Sequence, residues 1–187
     1  MESLHRQPGD AGRTVLPMDI IAATIEEWRT LGFHYDLSDE RRVWTITGSV
    51  VGLSRFADIL RRFASDSRND APFEHEHYGP YGYLKIMNVP DERGFNSNAL
   101  FAPRSEFTTL AALIDARLTD AQPGVTFELS RDFAPDSEYE LRLVVAPDDF
   151  DPGLFDPWVQ QKIGEQAQTP ESTSGPDADG MSSPPAP

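Results

Sequence analysis

Residues 43–64 read VWTITGSVVGLSRFADILRRFA, and the change of period inside that run decides the fold class. Val43-Trp44-Thr45-Ile46-Thr47 is β-branched and aromatic, the composition of a pleated strand. After Gly48 the period changes from two to 3.6. Leu53, Phe56, Ala57, Leu60, Phe63 and Ala64 then form one apolar stripe, with Arg55, Arg61 and Arg62 largely off it. Ser49 stands at the N-cap position, where its side-chain oxygen accepts a free N–H of the first turn. Fully burying each large side chain of the stripe contributes about 1.5–3 kcal/mol, so it is core material.

Working outward, residues 33–47 read as a hairpin. Phe33, Tyr35 and Leu37 alternate with His34 and Asp36, and Ser38-Asp39-Glu40-Arg41 makes a polar turn before the strand at Val43. Upstream, Pro17 opens a helix whose Ile21, Ile25 and Trp28 share one face, with Gly32 as its stop and Trp28 as a core residue. Downstream, residues 65–73 are a polar connection. Residues 81–89 form a strand with Leu84 and Ile86 on one side and Tyr83, Lys85 and Met87 on the other. A turn at Pro90–Gly94 leads to a short edge strand within residues 95–101, weakened by Asn96 and Asn98. A third helix starts near Ser105, carries Phe107, Leu110, Leu113, Ile114 and Leu118, and ends at Pro123-Gly124. Val125, Phe127 and Leu129 form the next strand; after a loop with Pro135, Tyr139, Leu141, Leu143 and Val145 form the last.

This order predicts an α+β fold: a two-layer domain in which amphipathic helices cover one face of a mostly antiparallel sheet. The expected organisation is a flexible leader at 1–16, a single α+β domain at 17–158, and an acidic Pro/Ser-rich disordered tail at 159–187. Residues 165–187 hold five prolines and four serines but no aromatic, too little apolar surface to offset the entropy of ordering. No internal repeat is visible.

The 187 residues carry 31 acidic and 16 basic side chains, a net charge of −15. That balance argues against direct binding of nucleic acid, which needs a concentrated basic surface, and against docking on anionic membrane. It suits a basic protein partner. With no cysteine, disulfides, thiolate zinc sites and cysteine nucleophiles are excluded. No signal-peptide core or membrane-span-length apolar run occurs, so a cytoplasmic protein is expected. G-x-S-x-G, G-x-x-x-x-G-K-[ST] and G-x-G-x-x-G are all absent.

Two constellations remain. In Glu74-His75-Glu76-His77 an extended backbone puts both imidazoles on one face. The bland reading pairs each histidine with its glutamates. The sharper one makes His75 and His77 ligands of a transition metal, with His34 or a carboxylate completing the set. The second constellation is acidic: residues 132–156 have a local balance of −7. Asp132, Asp136, Glu138 and Glu140 surround Tyr139; Asp148, Asp149, Asp151 and Asp156 surround Phe150 and Trp158. Read as a calcium loop, this segment lacks the EF-hand ladder and its closing glutamate. A solvated loop would use its Asp-Pro turns to anchor Phe150, Phe155 and Trp158 in the core. A partner surface would use the acids for encounter and the aromatics as anchors.

Trp44-Thr45-Ile46-Thr47-Gly48, the helix with Gly52-Leu53, Glu74–His77, and Tyr83-Leu84-Lys85-Ile86 together resemble the immunity protein 32 family of bacterial polymorphic-toxin systems. The resemblance covers roughly residues 43–89. It implies a small cytosolic α+β protein that binds and blocks a co-encoded toxin without catalysis, and a histidine-rich segment that His75 and His77 match. The expected function is therefore a non-enzymatic acidic binding protein that requires no cofactor. The alternatives are a small metal-dependent enzyme using His75 and His77 with Glu74 or Glu76, and an acidic accessory protein that mimics DNA.

Overall fold

The strand-to-helix switch at Gly48 is formed as expected in a computed structural model that describes residues 18–168. Helix α1 (Met18–Leu31) ends where the Gly32 N–H donates to the Trp28 carbonyl at 2.9 Å, with Gly32 at φ +87°. That left-handed conformation suits glycine at a helix C-terminus. Strands β1 (His34–Ser38) and β2 (Val43–Gly48) form the expected hairpin, with Tyr35 opposite Ile46 and Leu37 opposite Trp44. Helix α2 (Val50–Ser65) follows, and the Ser49 hydroxyl accepts from the Gly52 N–H at 3.2 Å. Leu53, Phe56, Leu60 and Phe63 of its stripe are completely buried.

A 3-10 turn (Ser67–Asn69) leads to strands β3 (His75–Tyr78), β4 (Leu84–Asn88), β5 (Gly94–Phe95) and β6 (Leu100–Ala102). Helix α3 (Glu106–Leu118) packs on α2, with the Phe63 and Phe107 rings edge to face at 5.1 Å. Then come β7 (Thr126–Glu128), the short α4 (Ser130–Phe133), β8 (Glu140–Val145), the short α5 (Pro152–Phe155) and α6 (Pro157–Ala167).

The α+β class is as expected, and four of the six strand pairings are antiparallel, but the strands do not form a single sheet. There are two mixed four-stranded sheets, ordered β1-β2-β8-β7 and β3-β4-β6-β5. Each has a parallel pair at its centre, β2 with β8 and β4 with β6, flanked by antiparallel neighbours. The expected edge strand in 95–101 is two strands. Only β5 is at the edge; β6 lies inside the sheet. Asn96 makes the turn between them, its side-chain oxygen accepting from the N–H groups of Asn98 and Ala99. The third helix stops at Leu118, ahead of Pro123-Gly124. The loop containing Pro135 is preceded by α4.

The boundary drawn at residue 159 also moves, because α6 runs across it. Asp156 caps α6 through the Trp158 N–H at 2.8 Å, Pro157 occupies its first turn, and Val159 is completely buried. The leader at 1–16, Pro17 and the tail beyond Gln168 lie outside the described residues.

The two sheets share one core. Ile46, Leu141 and Leu143 of the first sheet, and Leu84, Ile86 and Leu100 of the second, join the α2 and α3 stripes in a single buried cluster. Ser137 forms a seam between the sheets. It accepts from the Phe95 N–H at 2.6 Å and donates to the Phe95 carbonyl at 2.9 Å. Trp44 Nε1 reaches across to the Asn96 carbonyl at 2.8 Å. A second join comes from the Tyr35 hydroxyl, which donates to the Tyr78 carbonyl at 2.8 Å.

Candidate functional site

The acidic stretch divides because β8 runs through it. Residues 132–140 lie before or at the start of β8, and residues 148–156 follow its end. At the first end, Asp132 pairs with Arg117 at 2.5 Å and Glu140 with Arg142. Tyr139 is buried and donates its hydroxyl to Asp39 at 2.9 Å. Asp136 and Glu138 are exposed and have no ion pair among the described residues.

These two converge with Glu92 of the β4–β5 turn around a cleft of about 410 Å³ at the seam, which Phe95, Phe101 and Ser137 also line. Arg93 is the cation at this cleft. Its guanidinium is tied to Glu106 at 3.1 Å and lies 5.4 Å from the Phe133 ring centre. Glu92 was legible only as part of an acidic turn in Pro90–Gly94; the seam that brings it beside Asp136 and Glu138 is a long-range feature.

At the far end of β8, Asp148 and Asp149 are exposed. Asp151 caps α5 through the Gly153 N–H at 3.0 Å and holds Arg29 of α1 through Nη2 at 2.6 Å. The Arg29 hydrogen bond holds the Asp151 carboxyl below the usual carboxylate range, against an opposing effect of partial burial. Asp156 is buried and accepts from Trp28 Nε1 at 2.7 Å and the Tyr81 hydroxyl at 2.6 Å. Burial and this carboxylate both push the Tyr81 phenol upward. The two Asp-Pro steps are therefore consecutive caps for α5 and α6, rather than turns that sink all three aromatics. Phe155 remains 52% exposed, Phe150 packs edgewise on it at 5.1 Å, and Trp158 is half-buried.

His75 and His77 do share the exposed face of β3. His34 is elsewhere, buried against Trp28 with ring centres 4.6 Å apart, so it is not their third partner. No group of three or more His, Asp or Glu side chains suited to a metal occurs among the described residues. Neither glutamate pairs with the histidines. Glu76 instead accepts from Asn69 Nδ2 at 2.7 Å and the Tyr78 hydroxyl at 2.6 Å. A larger groove, about 760 Å³, lies between α1 and α2; Glu26, Glu27 and Asp58 face Arg55 and Arg62 there, so its charge is mixed. No helix among the described residues is long and apolar enough to cross a membrane.

No protein-family model, curated protein or solved structure matches the chain.

Proposed function

We propose that this chain is a non-enzymatic acidic binding protein: an immunity protein that neutralises a basic, co-encoded toxin by covering its active surface. The observation that carries this reading is the seam cleft. Glu92, Asp136 and Glu138 converge there, and the neighbouring Arg93 is already committed to Glu106. A lysine or arginine of the partner would lay its aliphatic stem along Phe101 and present its head to the three carboxylates. The resemblance over residues 43–89 supplies the class of partner.

Calorimetry at low salt with the toxin module encoded beside this gene tests the proposal. Micromolar or tighter association is expected, weakened at least about tenfold in the Glu92→Gln/Asp136→Asn/Glu138→Gln variant. Absence of heat and of complex at micromolar concentrations sinks the reading.

A further inference from the structure

The outer face of the second sheet carries donors that the proposed function does not use. His75 faces Met87 and His77 faces Lys85 across the β3–β4 pair, while Leu84 and Ile86 of β4 point into the core. His75 and His77 are exposed; Lys85 and Met87 are half-exposed. Just before β3, two residues oppose one. The Phe73 N–H donates to the Asn88 carbonyl at 2.7 Å, and the Asn88 N–H donates to the Glu74 carbonyl at 2.9 Å. Phe73 adopts φ +69° at this bulge. Alternation from that bond makes 75↔87 and 77↔85 non-hydrogen-bonded pairs, where facing Cα atoms stand about 4.5 Å apart and side chains come closest. Met87 is therefore the cross-strand neighbour of His75 on the outer face.

Both imidazoles are anchored to the backbone through Nδ1. His75 Nδ1 bonds the Phe73 carbonyl at 3.0 Å, and His77 Nδ1 bonds the Gly82 carbonyl at 2.5 Å. A carbonyl only accepts, so each Nδ1 carries the proton and each neutral ring keeps its lone pair on Nε2. A backbone carbonyl on the other ring nitrogen is a recurrent support for histidine ligands. The ring centres are 5.2 Å apart at 79°. With Nε2–metal bonds of about 2.0 Å, each ring centre lies about 3.2 Å from the metal, and two rings at about 90–110° stand about 4.5–5.2 Å apart. The observed spacing, also that of an edge-to-face ring pair, falls at the upper end of this range.

We propose that His75 and His77, with Met87 as third donor, bind a single copper ion on the outer face of this sheet. Imidazole accepts copper, and a thioether selects its reduced, soft state over zinc. Lys85 opposes the bound charge, and its half-exposed stem lets the ammonium extend into water.

The test titrates the full chain with Cu(II), followed by paramagnetic resonance, and with Cu(I) against a chromophoric chelator. One equivalent of Cu(II) with nitrogen hyperfine splitting is expected, lost in His75→Ala/His77→Ala. The Cu(I) affinity should fall about tenfold in Met87→Leu and rise in Lys85→Gln. Circular dichroism checks that these outward-facing changes leave the fold intact. Unchanged copper stoichiometry and affinity in the double-histidine variant overturns the site. Unchanged Cu(I) affinity in Met87→Leu overturns the copper assignment.

Discussion

Asp156 is the residue on which the packing of α1, α6 and the β3–β4 connection converges, since its carboxylate takes Trp28 Nε1, the Tyr81 hydroxyl and the Trp158 N–H. Asp156→Ala strands a buried indole donor and removes the cap of α6. A loss of about 2–4 kcal/mol is expected in urea denaturation. Asp156→Asn keeps an acceptor oxygen and should cost less than half of that. Nearby, His34 is held below its ordinary value by burial, which outweighs the opposing pull of Asp156 and Asp36. The unfolded chain therefore takes up the His34 proton near pH 6.5, before the folded protein does. Stability from this group is complete above about pH 6.5 and is lost as pH falls from there through the lower folded value. Urea midpoints should drop between pH 7.5 and pH 5.0, and His34→Gln should flatten that interval. Asp151, whose pKa is lowered by Arg29, acts in the same direction but only in more acid solution, so the two contributions separate on the pH axis.

Helix α2 is closely bound to its context, and Gly52 shows why. A Cβ built there lies well inside 3.0 Å of the Gly32 carbonyl oxygen, a backbone atom that cannot swing aside. Gly52→Ala gains about 1 kcal/mol of helix propensity but forces apart α2 and the α1–β1 turn, at about 1–3 kcal/mol or more; net destabilisation is expected by thermal denaturation. Gly164 in α6 is the opposite case. Nothing stands within 4 Å of its added Cβ, so Gly164→Ala should stabilise by about 0.5–1 kcal/mol in the same assay.

The same contrast explains what could be read from sequence. The α2 boundaries were legible because cap and stripe are local, and all seven of its buried residues fall within the helix itself. The β2–β8 pairing was not, because Val43 and Glu140 are partners far apart in the chain and no local pattern encodes which strand lies alongside which. Helix α6 went unseen because it buries only Val159 and has no stripe; its signal was the repeated Asp-Pro cap. At the candidate site, Asp136 and Glu138 were readable as acids, whereas Glu92 joins them only through the Ser137–Phe95 seam.

At the scale of the whole molecule, a charge of −15 acts on a partner before contact, and the placement of the acids decides which of them matter. Asp136 and Glu138 precede β8, while Asp148 and Asp149 follow it. At about 3.3 Å per residue the six-residue strand that separates the two groups spans about 17 Å, twice the Debye length of about 8 Å in physiological salt. A partner at the proposed docking point would therefore sense Glu92, Asp136 and Glu138, while salt screens most of the field from the far end. In stopped-flow association with the proposed toxin partner, the on-rate should fall about tenfold or more between 50 and 500 mM salt, with little change in the off-rate. Neutralising Glu92, Asp136 and Glu138 should remove most of that salt dependence. Neutralising Asp148 and Asp149, which leaves the cleft intact, should leave most of it in place. Equal effects from the two sets would mean that only net charge steers the partner, and would withdraw the seam cleft as the docking point.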